Sequence, residues 1–337
     1  GEEMPNLAYT EGQYEDCVFW GKFSREGPRC LPLVCHCLDV GLVFRELCNL
    51  NAIRRSLECA SKSSLTAQQL DRLAVLAMLH DVGKANLGFQ LKVFQPKAIP
   101  GGHIRELAVF MDPYAVDSDL HEAFLEALQP ELLTWFSDGQ VAYSYLIAAF
   151  SHHGRPLRFQ GEKSGTYYEA KNRWWHPQGK WDPMVAIKEI VDGARHVFVN
   201  AFKPGGEPLP DSPRFHHRFA GILMIADWLG SHEHWFPIES VCFETRLQYD
   251  RRAIPAMMQA VGLDVDTCRM ILDARSDSDL DSFQNRFEFP PRPLQQAVDG
   301  LDPYDENTRL VIAESETGSG KTEAALNWFF KLFVAGK

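Results

Sequence analysis

The chain has 337 residues, 45% of them hydrophobic and 23% charged, which excludes a disordered or collagenous polypeptide and leaves room for about two domains with sizeable cores. Its formal net charge of −11, from 34 basic and 45 acidic residues, argues against a protein that coats nucleic acid over its whole surface, while local basic patches stay open. No stretch approaches the roughly 20 apolar residues of a membrane span, and the opening GEEMPNLAYTEGQYEDC is acidic and polar where a secretory signal is basic and then apolar, so a soluble, cytoplasmic protein with no membrane partner is expected.

Residues 1–235 are dominated by amphipathic helical pattern, with almost no strand alternation. A first helix follows Pro32 and sets His36, Val40, Phe44 and Leu47 on one stripe. A second starts with Thr66 as N-cap and Gln69 three residues on, places Leu73, Leu76, Ala77 and His80 on its apolar face, and ends near Gly83. The third runs from about Val141 to His153 and stops at Gly154, with Pro156 beyond. The fourth opens at Ser212–Pro213, turns Phe219, Ile222, Leu223 and Ala226 inward, and ends at Gly230 with Asp227 in its last turn. Residues 236–288 read as a connecting segment, and 262–288 within it holds seven Asp/Glu against three Arg. After FPPRP, a β-branched run at 308–313 (TRLVIA) is expected to be a strand, followed by a glycine loop and a helix. Eight cysteines, six in the first 60 residues and none in a CxxC pair, are too sparse for a disulfide framework and are expected as free thiols.

The sharpest chemical signal is His80-Asp81 at the end of an apolar helix. A carboxylate can bridge two cations with its two oxygens while imidazoles supply terminal nitrogens, a ligand set that suits transition metals. One such pair is weak evidence, because a lone histidine on an apolar stripe is more often a hydrogen-bonded core residue. The series His36, His80-Asp81, His152-His153 and Asp227, each at or near a buried stripe, is far harder to assign to packing alone.

This order, with His80-Asp81-Val82-Gly83-Lys84, Ser151-His152-His153-Gly154 and Asp227-Trp228-Leu229-Gly230-Ser231, resembles the HD-superfamily phosphohydrolases. More narrowly, it resembles the HD nuclease domain of the CRISPR-associated nuclease-helicases of type I interference systems, over residues 15–235. The resemblance implies a mainly α, HD-type helical bundle over 1–235. It implies that His36, His80, Asp81 and Asp227 hold one ion, and that Asp81, His152, His153 and one further histidine hold a second. His103, in Gly-Gly-His-Ile-Arg-Glu, fits that last place better than His121. Two cations roughly 3.5–4 Å apart polarise a phosphodiester and lower the pKa of water toward neutrality, so no serine or cysteine nucleophile is needed. Histidine-rich ligation favours Mn, Fe, Co or Ni over Mg without excluding it. Asp81 is the central catalytic carboxylate, and Lys84 is a candidate phosphate contact whose alternative is a solvated helix-end lysine. Ser231 is a candidate substrate contact whose alternative is a capping role. Residues 86–90 (NLGFQ) also match the family, with no individual role assigned.

Between 150 and 181 six basic side chains stand against two acidic ones, interleaved with aromatics. Arg155, Arg158, Lys171, Arg173, Trp174 and Trp175 are candidate contacts to single-stranded DNA through phosphate pairing and base stacking, against the plainer reading that the aromatics pack a loop. At the other end, Ser315-Glu-Thr-Gly-Ser-Gly-Lys-Thr322 between an apolar run and a helical pattern reads as a P-loop. Thr317, Gly318, Ser319 and Gly320 line it, Lys321 reaches the phosphates of ATP and Thr322 binds its Mg. Gln295, in a segment resembling the Q motif of superfamily 2 helicases, is a candidate adenine contact. Residues 289–337 thus resemble the opening of a RecA-like α/β helicase domain, truncated here, so the chain is expected to be the N-terminal part of a longer nuclease-helicase without ATPase activity of its own.

The function implied is cleavage of single-stranded DNA, coupled in the whole protein to a 3′-to-5′ helicase and directed by an RNA-guided surveillance complex, with an inhibitor protein as a further partner class. The alternative is an HD phosphohydrolase acting on nucleotides or cyclic nucleotides, which leaves the P-loop and the basic aromatic stretch without a role. A non-enzymatic regulatory module would be marked by loss of a ligand residue, and none is lost.

Overall fold

A computed structural model describes residues 19–24, 29–94, 101–112, 117–154, 157, 172–276, 282–308 and 310–337. The chain divides into two compact units, 1–254 and 255–337. In the first, strands β1 (Trp20–Phe23) and β2 (Cys30–Pro32) pair antiparallel, with Lys22 opposite Leu31 and a bulge between Trp20 and Lys22. Sequence reading missed this hairpin, because strands of four and three residues broken by a bulge present no alternation to detect. Its second strand runs directly into α1 (Leu33–Leu47), which is buried along most of its length.

Helix α2 (Asn51–Ser61) is followed by α3 (Ala67–Met78). The expected capping box opens α3: Thr66 Oγ1 accepts from the Gln69 backbone N–H (3.1 Å) and Gln69 Oε1 accepts from that of Thr66 (3.0 Å). The chain then tightens into a 3₁₀ segment, Leu79–Ala85, interrupted at Asp81 (φ −108°, ψ 17°). After α4 (Ser118–Leu128) comes α5 (Gly139–Phe150), which starts two residues before the expected Val141, because Asp138 accepts from the backbone N–H groups of Gln140 and Val141. It ends earlier than expected, so His152 and His153 occupy a turn before Gly154 (φ 76°). Helices α6 (Pro183–Val197) and α7 (Pro213–Gly230) complete the bundle, the latter capped by Ser212 as the sequence indicates. Helix α1 lies at its centre against α3, α6 and α7. Phe44 meets Phe219 edge-on there, 5.5 Å between ring centroids.

The segment read as a connector is largely helical: α8 (Phe243–Ala260) and α9 (Val265–Ser276). The division between the two units falls within α8, at Pro255, which lacks the backbone donor a continuous helix needs. Arg246 of α8 is buried in the first unit, donating to both carboxylate oxygens of Asp39 at 2.7 Å each and to the Pro237 carbonyl at 2.9 Å.

In the second unit, α10 (Pro293–Asp299) packs on α11 (Lys321–Val334), and Asn327 donates to Asp299 at 2.8 Å. Among the described residues of the strand expected at 308–313 no strand is seen: 308 and 310–313 have no regular structure, with Leu310 and Ile312 79% and 84% exposed. A strand forms only where a ladder partner takes up its backbone groups, and no described segment of this unit pairs with the run. All described cysteines are free thiols.

Candidate metal centre

Helix periodicity brings the site together. On α1, His36 is one turn before Asp39 and faces inward, 1% exposed. Its Nε2 lies 3.0 Å from Asp81 Oδ2 and 4.0 Å from Asp227 Oδ1. His80 and Asp81 lie where α3 tightens, 0% and 2% exposed, and His80 Nε2 is 3.3 Å from Asp81 Oδ2 and 3.6 Å from Asp227 Oδ1. The turn after α5 brings His152 Nε2 to 3.5 Å from Asp81 Oδ1, and the 101–104 loop brings His103 Nε2 to the same distance. His103 Nε2 and His153 Nε2 point at each other, 2.8 Å apart.

The tautomers are set from behind. His80 Nδ1 donates to the Ala77 carbonyl at 2.8 Å and His152 Nδ1 to that of Ala149 at 3.1 Å, so in both rings Nε2 is the nitrogen offered to the cluster. Among the described residues, three triads place one donor atom per member within 4.8 Å of one another: His36, His80 and Asp227; His80, Asp81 and His152; His103, His152 and His153. Asp81 lies between the first and last of these, one oxygen toward each side.

Burial and the Lys84 ammonium push His36 down to about 3, and burial pushes His103 to about 3 as well, so both rings are neutral near pH 7. Burial also lowers His153. Burial opposes charge on His80, yet the Asp81 and Asp227 carboxylates outweigh it and raise that ring to about 9. Both acids are held below the usual carboxylate range despite burial, Asp81 by Lys84 and His80 and Asp227 by His80. The centre therefore gathers two ionised acids and several neutral imidazoles. His80 Nε2 and Asp81 Oδ1 are buried without a hydrogen-bond partner, which is costly; a divalent cation would take up the Asp81 lone pair and displace the proton that the two acids hold on His80 Nε2. The donor set fits divalent metal ions, with His36, His80, Asp81 and Asp227 on one side and Asp81, His103, His152 and His153 on the other.

Two lysines stand at the rim. Lys84 Nζ is 2.7 Å from Asp81 Oδ2 and donates to the Gly21 carbonyl at 3.1 Å. Lys22, on β1, donates to the Ser231 carbonyl at 2.9 Å, and burial and then Lys84 lower it to about 8. Lys22 was not singled out from sequence, since nothing in the local pattern ties it to the helices. Ser231 Oγ donates to Asp227 Oδ1 at 3.1 Å, so its hydroxyl holds an acid of the cluster.

His121, the alternative to His103, is bonded to the Phe110 carbonyl at 3.0 Å and is half-buried on α4. Of the candidate DNA contacts, Arg155, Arg158 and Lys171 lie outside the described residues. Arg173 is exposed, and Trp174 is half-buried against Gly88. Trp175 is a correction: it is 1% exposed, donates its indole N–H to the Glu106 carbonyl at 3.0 Å and packs on Phe110, so no face is open to a base.

In the second unit, Phe289, Arg292, Gln295, Thr317, Gly318, Gly320, Lys321 and Thr322 line a cleft of about 430 Å³. Gly318 (φ 79°) and Gly320 (φ 86°) take backbone conformations that side-chain-bearing residues avoid. Lys321 Nζ donates to the Ser315 and Glu316 carbonyls at 2.7 Å each, and Gln295 Nε2 donates to the Gly320 carbonyl at 3.1 Å. Ser319 Oγ is buried without a partner. No helix among the described residues is long and apolar enough to cross a membrane.

The sequence model of the family described as "Cas3, HD domain" matches residues 20–236, the span that contains every residue of the histidine–aspartate cluster. The chain is 24% identical to the CRISPR-associated endonuclease/helicase Cas3 of Escherichia coli (strain K12), over 94% of this chain and 36% of that protein. It superposes on the crystal structure of T. fusca Cas3-AMPPNP with a TM-score of 0.55 at 19% identity, covering 94% of this chain and 34% of that one. It superposes on a chain of a CRISPR RNA-guided surveillance complex, pre-nicking, with a TM-score of 0.50 at 18% identity, covering 94% and 35%. The chain thus spans about a third of the length of these relatives. With the family model covering most of the chain and the cluster lying inside the matched span, the chain belongs to the Cas3 HD-domain family.

Proposed function

We propose that the first unit is a metal-dependent nuclease that hydrolyses phosphodiester bonds of single-stranded DNA, with Asp81 shared between two divalent ions. The observation that carries this reading is the placement of Asp81, whose carboxylate has His36 and His80 at one oxygen and His103 and His152 at the other. Divalent ions held there, with Mn, Fe, Co or Ni preferred to Mg, would supply Lewis-acid polarisation of the phosphodiester and activation of water.

The chain's own groups do the positioning. Ser231 holds the Asp227 carboxylate, and the Ala77 and Ala149 carbonyls fix two imidazole rings. Lys84 and Lys22 supply fixed positive charge beside the acids, where a phosphodiester needs counter-charge. Arg155, Arg158, Lys171, Arg173 and Trp174, in the segment leaving the His152-His153 turn, are proposed to guide the strand by its phosphates and by sequence-tolerant stacking.

In the second unit, Gln295 and residues 317–322 are proposed to bind ATP with Mg as the opening of a helicase, a reading supported by the cleft they line and by the likeness of the chain to T. fusca Cas3-AMPPNP. An RNA-guided surveillance complex, in which a related chain is found, is the proposed partner that delivers the strand.

The test is a nicking assay on circular single-stranded DNA with a metal series, run beside Asp81→Ala. Cutting that needs added metal and vanishes in the variant is expected; undiminished cutting by Asp81→Ala would defeat the two-ion reading. Hydrolysis of deoxynucleoside triphosphates or cyclic dinucleotides, with intact circles, would favour the small-molecule phosphohydrolase instead.

A further inference from the structure

We infer that Asn86 is a positioning residue for the His103 side of the metal centre: a buried amide that clamps the loop carrying His103 onto the turn carrying His80 and Asp81. Asn86 is 0% exposed, and its side chain serves three backbone groups. Oδ1 accepts from the Phe89 N–H at 2.9 Å, the N-cap bond of the short helix Leu87–Gln90. Nδ2 donates in two other directions, to the Gly83 carbonyl at 2.6 Å and to the Gly102 carbonyl at 2.8 Å. Capping uses only the oxygen. Both N–H bonds go into joining two segments that sequence keeps apart, and both end next to proposed ligands: Gly83 two residues after Asp81, Gly102 one residue before His103.

The packing beneath the amide explains the glycines in this region. A Cβ added to Gly83 would lie 1.7 Å from the His103 carbonyl oxygen, and one on Gly101 would lie 2.7 Å from the Gly88 carbonyl carbon. The two backbones are therefore in direct contact at each point, reinforced by a Gly101 N–H to Gly88 carbonyl bond of 2.9 Å. His103 comes from a loop and not from a helix, so it lacks the rigid frame of His36 and His80; Asn86 supplies that frame. Gln90, also 0% exposed, does the corresponding work for the hairpin. Its Oε1 accepts from the Trp20 N–H at 2.9 Å, and its Nε2 donates to the Trp20 carbonyl at 2.9 Å and the Lys84 carbonyl at 2.7 Å. The two amides give residues 86–90 (NLGFQ) a role as the stitching between turn, loop and hairpin.

The inference rests on the two-ion reading for its metal half, and its test keeps the two separable. In the full chain, Asn86→Ser retains a capping oxygen but cannot bridge two carbonyls, and Gly83→Ala forces the same loop away from the other side. Hydrogen exchange over residues 101–107 is followed in the metal-free protein, and Mn²⁺ binding is titrated by calorimetry. Faster exchange in both variants is expected, with one ion bound as in the parent and the other weakened roughly 10–100-fold, the usual effect of removing an outer-shell partner. Unchanged exchange in both variants overturns the clamp whatever the ion count. Equal weakening of both ions, or unfolding of both variants, overturns it too, by making the amide a general element of the core. A parent protein holding fewer than two ions overturns the two-ion reading and the metal half of the inference, and leaves the exchange result to decide the clamp.

Discussion

The two candidate sites are built on opposite plans. In the first unit, the cluster side chains come from α1, the end of α3, the 101–104 loop, the turn after α5 and the end of α7, and His36, His80, Asp81 and His152 are each no more than 2% exposed. Such a site exists only when its whole unit has folded, because no two neighbouring turns of chain could assemble it. In the second unit, the loop 317–320 and the first turn of α11 form a cleft from one short stretch of chain plus α10. A phosphate-binding loop needs only inward-facing N–H groups and a helix N-terminus, so it keeps its shape although the apolar run before it is not a strand. A metal centre reports on a fold; a glycine loop reports on a local backbone path.

Crossed substitutions test that contrast most severely. Asp81→Ala should abolish metal-dependent cutting to below detection and remove binding of both ions, while leaving an ATP analogue bound to the second unit. Lys321→Ala should do the reverse, lowering analogue binding and leaving cutting and metal content unchanged. A loss of cutting in Lys321→Ala, measured on circular single-stranded DNA without ATP, would show that the sites are not independent.

The next effect is on stability. Arg246 is 2% exposed and donates to both oxygens of Asp39 on α1, one turn beyond His36. Removing one partner of a buried ion pair leaves the other charge without compensation, at a cost of about 3–5 kcal/mol. Arg246→Ala should therefore lower the urea midpoint of the first unit strongly, whereas the exposed Arg251 on the same helix should be replaceable by alanine with little change.

The part of this architecture that was legible in the sequence was the part written in local periodicity. His36 falls on the stripe of α1, His80 at the end of a capped helix and Asp227 in the last turn of another, so pattern and punctuation located them. The Asp39–Arg246 pair joins residues 207 positions apart, and neither carries a local signal. The expected strand at 308–313 failed for the related reason that strand pattern specifies a face but not a partner. Trp175 shows the limit of composition: an aromatic among basic residues reads as a base-stacking platform until its indole N–H is seen to be bonded inside the core. Trp175→Ala should accordingly destabilise the first unit by about 3–5 kcal/mol, the usual range for a buried Trp. Equal stability with weakened single-strand binding, measured by thermal melts and fluorescence anisotropy, would restore the stacking role.

The last effect concerns Asp250, which completes the buried group around Arg246. It is 0% exposed and lies 3.5 Å from the guanidinium Nε. Burial pushes both Asp39 and Asp250 upward. The guanidinium pulls Asp39 back through two short bonds, while the facing Asp39 carboxylate drives Asp250 further up, well above the usual carboxylate range. This pushes Asp250 toward keeping its proton in the folded protein at neutral pH, which weakens the charge pairing of its 3.5 Å approach to Arg246. The sign of the pH effect follows. The unfolded carboxyl loses its proton near pH 4, and the folded one keeps it to higher pH, so this residue's contribution is full below about pH 4 and is lost progressively as the pH rises. A neutral amide at this position would mimic the protonated acid without needing the proton. Asp250→Asn should match the parent near pH 4 and become the more stable of the two at pH 7 and again at pH 9, with the gap in urea midpoint widening at each step. A gap of the opposite sign at pH 7 would mean that Asp250 is ionised and paired with Arg246, and that the group around α1 carries two negative charges to one positive.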